Sequence, residues 1–570
     1  MRSRAVERRE EALHEIAQTE FSRRGLAVLL TLALLATIGA VPLVQLITEW
    51  RDETPGLPHP LSVFRMLPRL EEFRQVQGIP GLLELLPSLR EIHEFETQLE
   101  ETSVVSGWIL PRAQYALTAI FGVGNEQAYI GRKRWLFYRP GVDYLIGPGF
   151  LEPEQMQARI RGAKGWEDPP HPDPIAPIIQ LAEALKAYGA TLVVVPTPVK
   201  PSVYPDYLSS SAQPPAEPLQ NPSYEAFLRE LERNGVRVFD PGPILTRFRR
   251  EGGRAYLRTD THWTPEAMER VAQALADYLV REGLVPRPAE GRYRREERQI
   301  TNLGDIAIML KLPAGQRLYR PEMTTIHPVV REDGAPWRPD PRGPVLLLGD
   351  SFSNIYSLEG MGWGADAGFG EQLSFFLQQP IDRIVQNAGG AYATREALQA
   401  DLRRGADRLR GKRVVVYQFA ARELAVGDWR PIPLPEPTLQ PTLAQEGAGP
   451  IPSTEPKPDA AEVLVGGTIR AISRPPAPGS VPYPDAIIAL HLVELHVISG
   501  AFPEPEALVF AWGMREGRWT ELARRNAGER VRFRLIPWDQ VSERYGSYVR
   551  VELDDEATFL LVPYWGEAVP

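Results

Sequence analysis

Between residues 25 and 47 the chain carries no charged side chain (GLAVLLTLALLATIGAVPLVQLI). A run of that length spans the roughly 30 Å apolar layer of a bilayer as one helix, so it predicts a transmembrane anchor over 25–47. Residues 48–128 change character, rich in Leu, Glu and Arg, with an amphipathic run at 82–101 interrupted by Pro87 and preceded by Pro80. They are expected to form a helical stalk or neck.

Beyond that point the apolar pattern alternates between two periods. Helical spacing at 174–188 precedes a short β-branched run at 191–195, and helical spacing at 224–234 precedes 236–239. Further strands are expected at 345–348, 383–386 and 413–418, with helices at 371–378 and 394–409 between them. Strands alternating with helices predict an α/β domain over 129–430, built on a largely parallel sheet covered on both faces. From 431 to 458, nine of the 28 residues are proline, which reads as an extended linker over 431–460. The remainder, 461–570, carries strand-like runs at 462–471, 486–498, 507–512, 530–536 and 547–551. Five short strands predict a small all-β domain, an OB-like barrel or a sandwich.

The full chain of 570 residues is too long for one core, and length alone suggests three or four domains. Its net charge of -9, with both signs interspersed, argues against a nucleic-acid-binding protein, which would normally need a basic face. Cysteine is absent, which excludes disulfides, thiolate zinc sites and thiol catalysis. Arg2, Arg4, Arg8, Arg9, Arg23 and Arg24 precede the apolar run, and the positive-inside rule then places residues 1–24 in the cytoplasm and everything after about residue 50 outside it. An uncleaved anchor fits better than a cleaved signal peptide, whose apolar region would be shorter and followed by a small-x-small site.

Two stretches carry the candidate chemistry. Asp260-Thr261-His262-Trp263 stands just ahead of Thr264-Pro265, a helix start with Thr264 as N-cap. Gly349-Asp350-Ser351-Phe352-Ser353 follows the apolar run Val345-Leu346-Leu347-Leu348. A serine hydroxyl needs a base within hydrogen-bond reach and a carboxylate to orient that base; Ser351, His262 and Asp260 supply those groups. In open parallel sheets the ligand crevice lies beyond the carboxyl ends of the strands, where Ser351 falls. Taken singly, Gly-Asp-Ser is a common turn and Asp-x-His also reads as two metal ligands, although no third ligand lies at a recognisable spacing. The serine after a strand and the dyad before a capped helix belong to one domain.

The domain resembles the alginate O-acetyltransferase (AlgX/AlgJ-like) family, a branch of the SGNH hydrolase superfamily. The resemblance rests on Trp135-Leu136-Phe137-Tyr138 with Val142-Asp143-Tyr144-Leu145, on Val195-Pro196-Thr197-Pro198-Val199-Lys200-Pro201, on Thr259-Asp260-Thr261-His262-Trp263, on Gly349-Asp350-Ser351-Phe352-Ser353 and on Asn387-Ala388-Gly389-Gly390-Ala391-Tyr392. It implies Ser351 as nucleophile, His262 as base and Asp260 as its orienter, with the serine block after the Asp-x-His block. Asp350 is expected to cap the following turn. The Ser351 backbone N–H and Asn387 are candidate oxyanion donors, Gly389 and Gly390 let a substrate approach the backbone, and the whole segment also reads as a plain turn. Tyr392, Tyr356 and Arg395 are candidates for a sugar groove, or for ordinary packing and surface.

Hydrolysis and transfer share an acyl-enzyme, so the three residues alone do not separate them. The resemblance implies an O-acetyltransferase with no cofactor, anchored in the inner membrane with its catalytic domain in the periplasm. It would take acetyl groups from an MBOAT-type membrane acyltransferase and pass them to an alginate-like exopolysaccharide. A carbohydrate O-acetylesterase and a non-catalytic scaffold of a polysaccharide-export complex are the alternatives. Trp512, Trp519, Trp538, Tyr564 and Trp565 either stack on sugar rings or form the core of the C-terminal domain.

Overall fold

The computed structural model describes residues 24–51, 59–65, 85–164, 168–288, 291–437 and 463–569, the last apart from 477, 479–480, 482, 547, 554–557 and 559–560. The chain divides into two compact units, Met1–Ala113 and Gln114–Pro570. The basic segment before residue 24, the start of the amphipathic run and residues 438–460 of the proline-rich linker lie outside the described residues.

In the first unit, helix α1 (Arg24–Arg51) is long and apolar enough to cross a membrane. At 1.5 Å per residue its 28 residues span about 42 Å, and Leu29, Leu32 and Leu35 are exposed along it. Among the described residues, the amphipathic run forms a helix at Leu89–Thr102, two residues beyond Pro87.

The second unit holds a five-stranded sheet: β1 (Thr191–Thr197), β2 (Arg237–Val238), β3 (Val345–Gly349), β4 (Ile381–Val385) and β5 (Val414–Ala420), in the order β4-β3-β5-β1-β2. Every pairing is parallel. Alternate side chains feed two cores, as the period of a strand dictates. Val193, Val195, Val345, Leu347, Val414 and Val416 face one; Leu192, Val194, Leu346, Leu348, Val415 and Tyr417 face the other. Helices α2 (Ile175–Ala187), α3 (Tyr224–Arg233) and α6 (Ala393–Arg403) cover the second face, while α4 (Pro265–Arg281) and α5 (Phe369–Leu377) cover the first. Helix α4 begins as expected, Thr264 Oγ1 accepting from Ala267 N (3.3 Å).

Two boundaries differ from expectation for physical reasons. Strand β4 starts two residues earlier than expected because Asp382, a charge that reads as a strand breaker, is buried and neutralised by Arg408 (2.7 Å) and Lys412 (3.4 Å). Helix α6 stops at Arg403 rather than 409, and Gly405 follows in the left-handed region at φ +84.

The C-terminal domain is built from β6 (Val463–Ile472), β7 (Ala486–Ser499), β8 (Ala507–Arg515), β9 (Arg530–Pro537) and β10 (Pro563–Ala568). Neighbours run β8-β10-β9-β6-β7, and a β7–β8 pairing closes the ring into a five-stranded barrel of OB-like order, with β8 and β10 parallel. The run expected at 547–551 yields Val549–Val551, which pairs alongside β7 and is no stave of the barrel. The fifth stave is instead β10, masked in the sequence by its leading Pro563, which a strand tolerates at its first position. Of the aromatic residues, Trp512 packs edge-on against Tyr545, Tyr548 and Trp565, and Trp538 against Phe510. They form an apolar cluster of the domain rather than a row of exposed platforms. A further cluster of Tyr483, Ala486, Met514 and Val549 packs against Ala388, joining the barrel to the loop after β4.

Candidate active site

Strand β3 ends at Gly349, and the chain turns at once into the single helical turn Ser351–Asn354. Asp350 caps that turn as expected, its Oδ1 accepting from Phe352 N (2.9 Å) and its Oδ2 from Ala420 N (2.6 Å). Gln418 of β5 braces the turn from the neighbouring strand. Its Oε1 accepts from Asp350 N (3.1 Å) and Ser353 Oγ (2.6 Å), while its Nε2 donates to Asp350 Oδ1 (2.9 Å). Ser351 is thereby held at the carboxyl edge of the sheet, and its N–H begins a helical turn, so it has no intrahelical acceptor.

The segment 259–263 lies across that edge. His262 Nε2 stands 2.9 Å from Ser351 Oγ, and His262 Nδ1 stands 2.7 Å from Asp260 Oδ1. A carboxylate only accepts, so the hydrogen sits on Nδ1, and Nε2 is left to take the Ser351 proton. Asp260 accepts four N–H groups in all: His262 N (3.0 Å) and Nδ1 at Oδ1, Trp363 Nε1 (2.9 Å) and Asp305 N (3.0 Å) at Oδ2. Burial raises the Asp260 carboxyl, but the hydrogen bond and charge of His262, with the N–H groups of Asp305 and His262, outweigh it and hold it down at about 2. Phe352 packs on the imidazole at 4.8 Å between ring centroids.

Asp260, His262 and Asp305 offer ligand atoms within 4.8 Å of one another, a spacing that a cation can bridge. Both Asp260 oxygens are already engaged by N–H donors, which a cation would have to displace. The donor set fits hydrogen bonding to a histidine better than ligation.

The other predicted residues divide. Asn387 follows β4 beside the serine turn, Gln386 N donating to Gly349 O (3.0 Å). Its Oδ1 accepts from Asn354 Nδ2 (2.6 Å), which leaves its own Nδ2 as the donating end. Gly389 adopts φ +64, which favours glycine, and its carbonyl accepts from Tyr392 N (2.8 Å) and Ala393 N (2.7 Å). Gly390 is fixed by Tyr417 Oη, which donates to its carbonyl (2.8 Å). Tyr392 is half-buried under the Arg430 guanidinium, at 4.5 Å. Tyr356 and Arg395 line no groove among the described residues. Tyr356 is fully buried and donates to Trp263 O (2.6 Å); Arg395, 1% exposed, spends its guanidinium on Ala391 O (2.6 Å) and Arg430 O (3.2 Å). Both secure the walls behind the site.

Sequence reasoning missed Trp363, Asp305 and Gln418, which no motif or periodicity singles out. Lys200, within the block 195–201, carries no role that the sequence reveals. Lys200 is buried, donating to Leu136 O (2.7 Å) and Arg258 O (3.3 Å). Burial lowers its ammonium to about 8 against the opposing pull of Asp260, Asp305 and Glu322. Beside this segment opens a cleft of about 340 Å³ lined by Arg134, Arg254, Arg258, Thr259, Arg320 and Glu322. Glu322 ties it to the triad segment by accepting from Thr259 N (2.9 Å) and pairs with Arg254 (3.1 Å). The other three arginines have no carboxylate partner among the described residues.

Known proteins share this domain. Residues 129–421, just over half of the chain, match the family described as an SGNH hydrolase-like domain, acetyltransferase AlgX. The chain is 28% identical over 245 residues to the probable alginate O-acetylase AlgJ of Pseudomonas putida, covering 41% of this chain and 57% of that protein. It is 26% identical over 251 residues to the probable alginate O-acetylase AlgJ of Pseudomonas aeruginosa, covering 43% and 58%. The chain thus spans little more than half the length of the curated relatives it matches. The solved O-acetyltransferase domain of Pseudomonas putida AlgJ aligns at 24% identity and a TM-score of 0.40, covering 53% of this chain and 93% of that one. With the family match extending over the sheet, the Asp-x-His segment and the serine turn alike, this chain belongs to the AlgX family of SGNH hydrolase-like domains.

Proposed function

We propose that the chain is a membrane-anchored O-acetyltransferase that carries acetyl groups on Ser351 and passes them to hydroxyls of a secreted, alginate-like polysaccharide. The observation that carries this reading is the continuous hydrogen-bonded series from Asp260 through His262 to Ser351, at 2.7 and 2.9 Å. In the first half-reaction the Ser351 Oγ–H proton passes to His262 Nε2 as Oγ bonds to the acetyl carbon. The bond from that carbon to the donor's oxygen then breaks, and the donor leaves with the proton from Nε2. A sugar hydroxyl repeats these steps in reverse, freeing Ser351. The Ser351 N–H and the Asn387 amide are the donors proposed for the oxyanion.

The relatives, designated probable alginate O-acetylases, support acetyl transfer to alginate, and the arginine-lined cleft beside Thr259 suits an acidic chain. Helix α1 supports attachment to the inner membrane with the catalytic unit in the periplasm, out of reach of cytoplasmic acetyl-CoA. An MBOAT-type membrane acyltransferase is the proposed source of acetyl groups.

Incubation with an activated acetyl ester should add one acetyl group to the peptide containing Ser351, and Ser351→Ala should abolish the adduct without unfolding the protein. To outcompete water, the acceptor must be held in attack geometry, an advantage that reaches effective molarities on the order of 10⁵ M. With an acidic oligosaccharide, acetylated sugar should therefore form faster than free acetate. Dominant acetate release, with efficient stripping of pre-acetylated chains, would make the protein an esterase.

A further inference from the structure

Behind His262 stands a second carboxylate that the triad does not use. Asp305 opens the short helix Asp305–Met309, and Gly304 before it has no room for a side chain: a Cβ there would lie 2.3 Å from Thr259 C and 2.5 Å from Asp260 N. The close approach is therefore built into the chain. It lets Asp305 N donate to Asp260 Oδ2 (3.0 Å), while Asp305 Oδ1 accepts from Thr261 N (2.7 Å) and Ile306 N (2.7 Å). The other oxygen, Oδ2, is buried 3.7 Å from His262 Nδ1 with no hydrogen-bond partner. A buried carboxylate oxygen without a donor is costly to a fold, and its retention beside a reacting base calls for a reason.

We infer that Asp305 is a positioning residue for the base, a second anion whose charge strengthens His262 at the moment it takes the serine proton. The inference rests on the proposed triad. In the resting state the Nδ1 hydrogen belongs to Asp260, and Asp305 Oδ2 gains little from it. Once His262 becomes an imidazolium, a full positive charge faces Oδ2 across 3.7 Å of buried space. An interaction that grows only on the way to the transition state accelerates the step rather than tightening binding.

The surroundings make the charge of Asp305 conditional. Burial, then the neighbouring Asp260 charge, push its carboxyl up to about 7, opposed by His262 and the Thr261 contacts. Lys200 faces it from the helix Lys200–Val203, and Tyr138, beneath the Arg422 guanidinium, faces it from the strand Leu136–Tyr138. With its carboxyl raised to about 7, Asp305 is largely neutral in mild acid and gains its charge as the pH rises. The triad groups titrate together, so their steps belong to the set and not to one residue.

The test compares the full chain with Asp305→Asn and Asp305→Ser in the rate of Ser351 acetylation by an activated acetyl ester, from pH 5 to 9. Both variants are permanently neutral and differ in shape. The ratio of wild-type to variant rate should be near one at pH 5 and rise to roughly tenfold or more above pH 8, appearing in kcat rather than KM. The variants also release the pull of Asp305 on Lys200, whose ammonium then falls further, so the same comparison in a Lys200→Met background isolates the Asp305 charge. A ratio that is flat with pH, or failure of both variants to fold, would make Asp305 purely structural and overturn the inference. If Ser351→Ala still acetylates, the triad reading fails instead; if it does not while the ratio stays flat, only the role of Asp305 fails.

Discussion

Replacing Asp260 by asparagine tests how the site sets the tautomer of His262. The native carboxylate receives two N–H groups at each oxygen, whereas an amide has one accepting and one donating end. If the oxygen of the amide faces His262, its NH₂ meets Trp363 Nε1–H and Asp305 N–H, leaving two fixed donors unsatisfied at about 1–3 kcal/mol each. If instead the NH₂ faces His262, only His262 N–H is stranded, because the ring escapes by moving its hydrogen from Nδ1 to Nε2. The second arrangement leaves one donor unsatisfied rather than two and should win. It places a hydrogen on the nitrogen proposed to accept the Ser351 proton. By analogy with serine-protease triads the rate should then fall as much as about 10⁴-fold, equivalent to about 5.4 kcal/mol at 1.36 kcal/mol per tenfold. Single-turnover acetylation of Asp260→Asn by an activated ester measures the rate, and ¹⁵N spectra of the His262 ring report the tautomer. Turnover within tenfold of wild type, or a ring still protonated at Nδ1, would refute the reasoning.

Two further outcomes follow from the same geometry. Exhaustive dialysis against a chelator should leave acetylation unchanged, because the Asp260 oxygens are filled by N–H donors; loss of activity restored by zinc or manganese would instead place a cation between Asp260, His262 and Asp305. Arg258→Glu combined with Arg320→Glu should raise KM for an acidic oligosaccharide severalfold at low salt, with a smaller effect at high salt and little on acetylation by a small neutral ester. An unchanged KM would remove the arginine-lined cleft from acceptor binding.

Much of the fold was legible because its signals are local. The buried strands β1, β3 and β5 are built around short apolar runs, and the start of α4 is written in Thr264-Pro265. Ser351, His262 and Asp260 were legible for a similar reason, each standing beside such a signal. Charge inside the fold obscured the rest: β4 begins on Ile381-Asp382, and Asp382 reads as polar until Lys412 and Arg408, the latter 26 residues on, are brought to it.

What the sequence by itself determined is the order of most elements and the three groups that the fold brings into one hydrogen-bonded series, since strand periodicity, helix caps and residue chemistry act over a few residues. Only the tertiary structure decided which groups surround them. Trp363 reaches Asp260 across 103 residues and Gln418 reaches Asp350 across 68, contacts that no local pattern encodes. Burial, which depends on the whole packed domain, turned Tyr356 and Arg395 from candidate groove residues into supports. The same packing closed the barrel with Pro563–Ala568 and set Asp305 beside His262, because a backbone free of a Cβ at Gly304 can lie against residues far earlier in the chain.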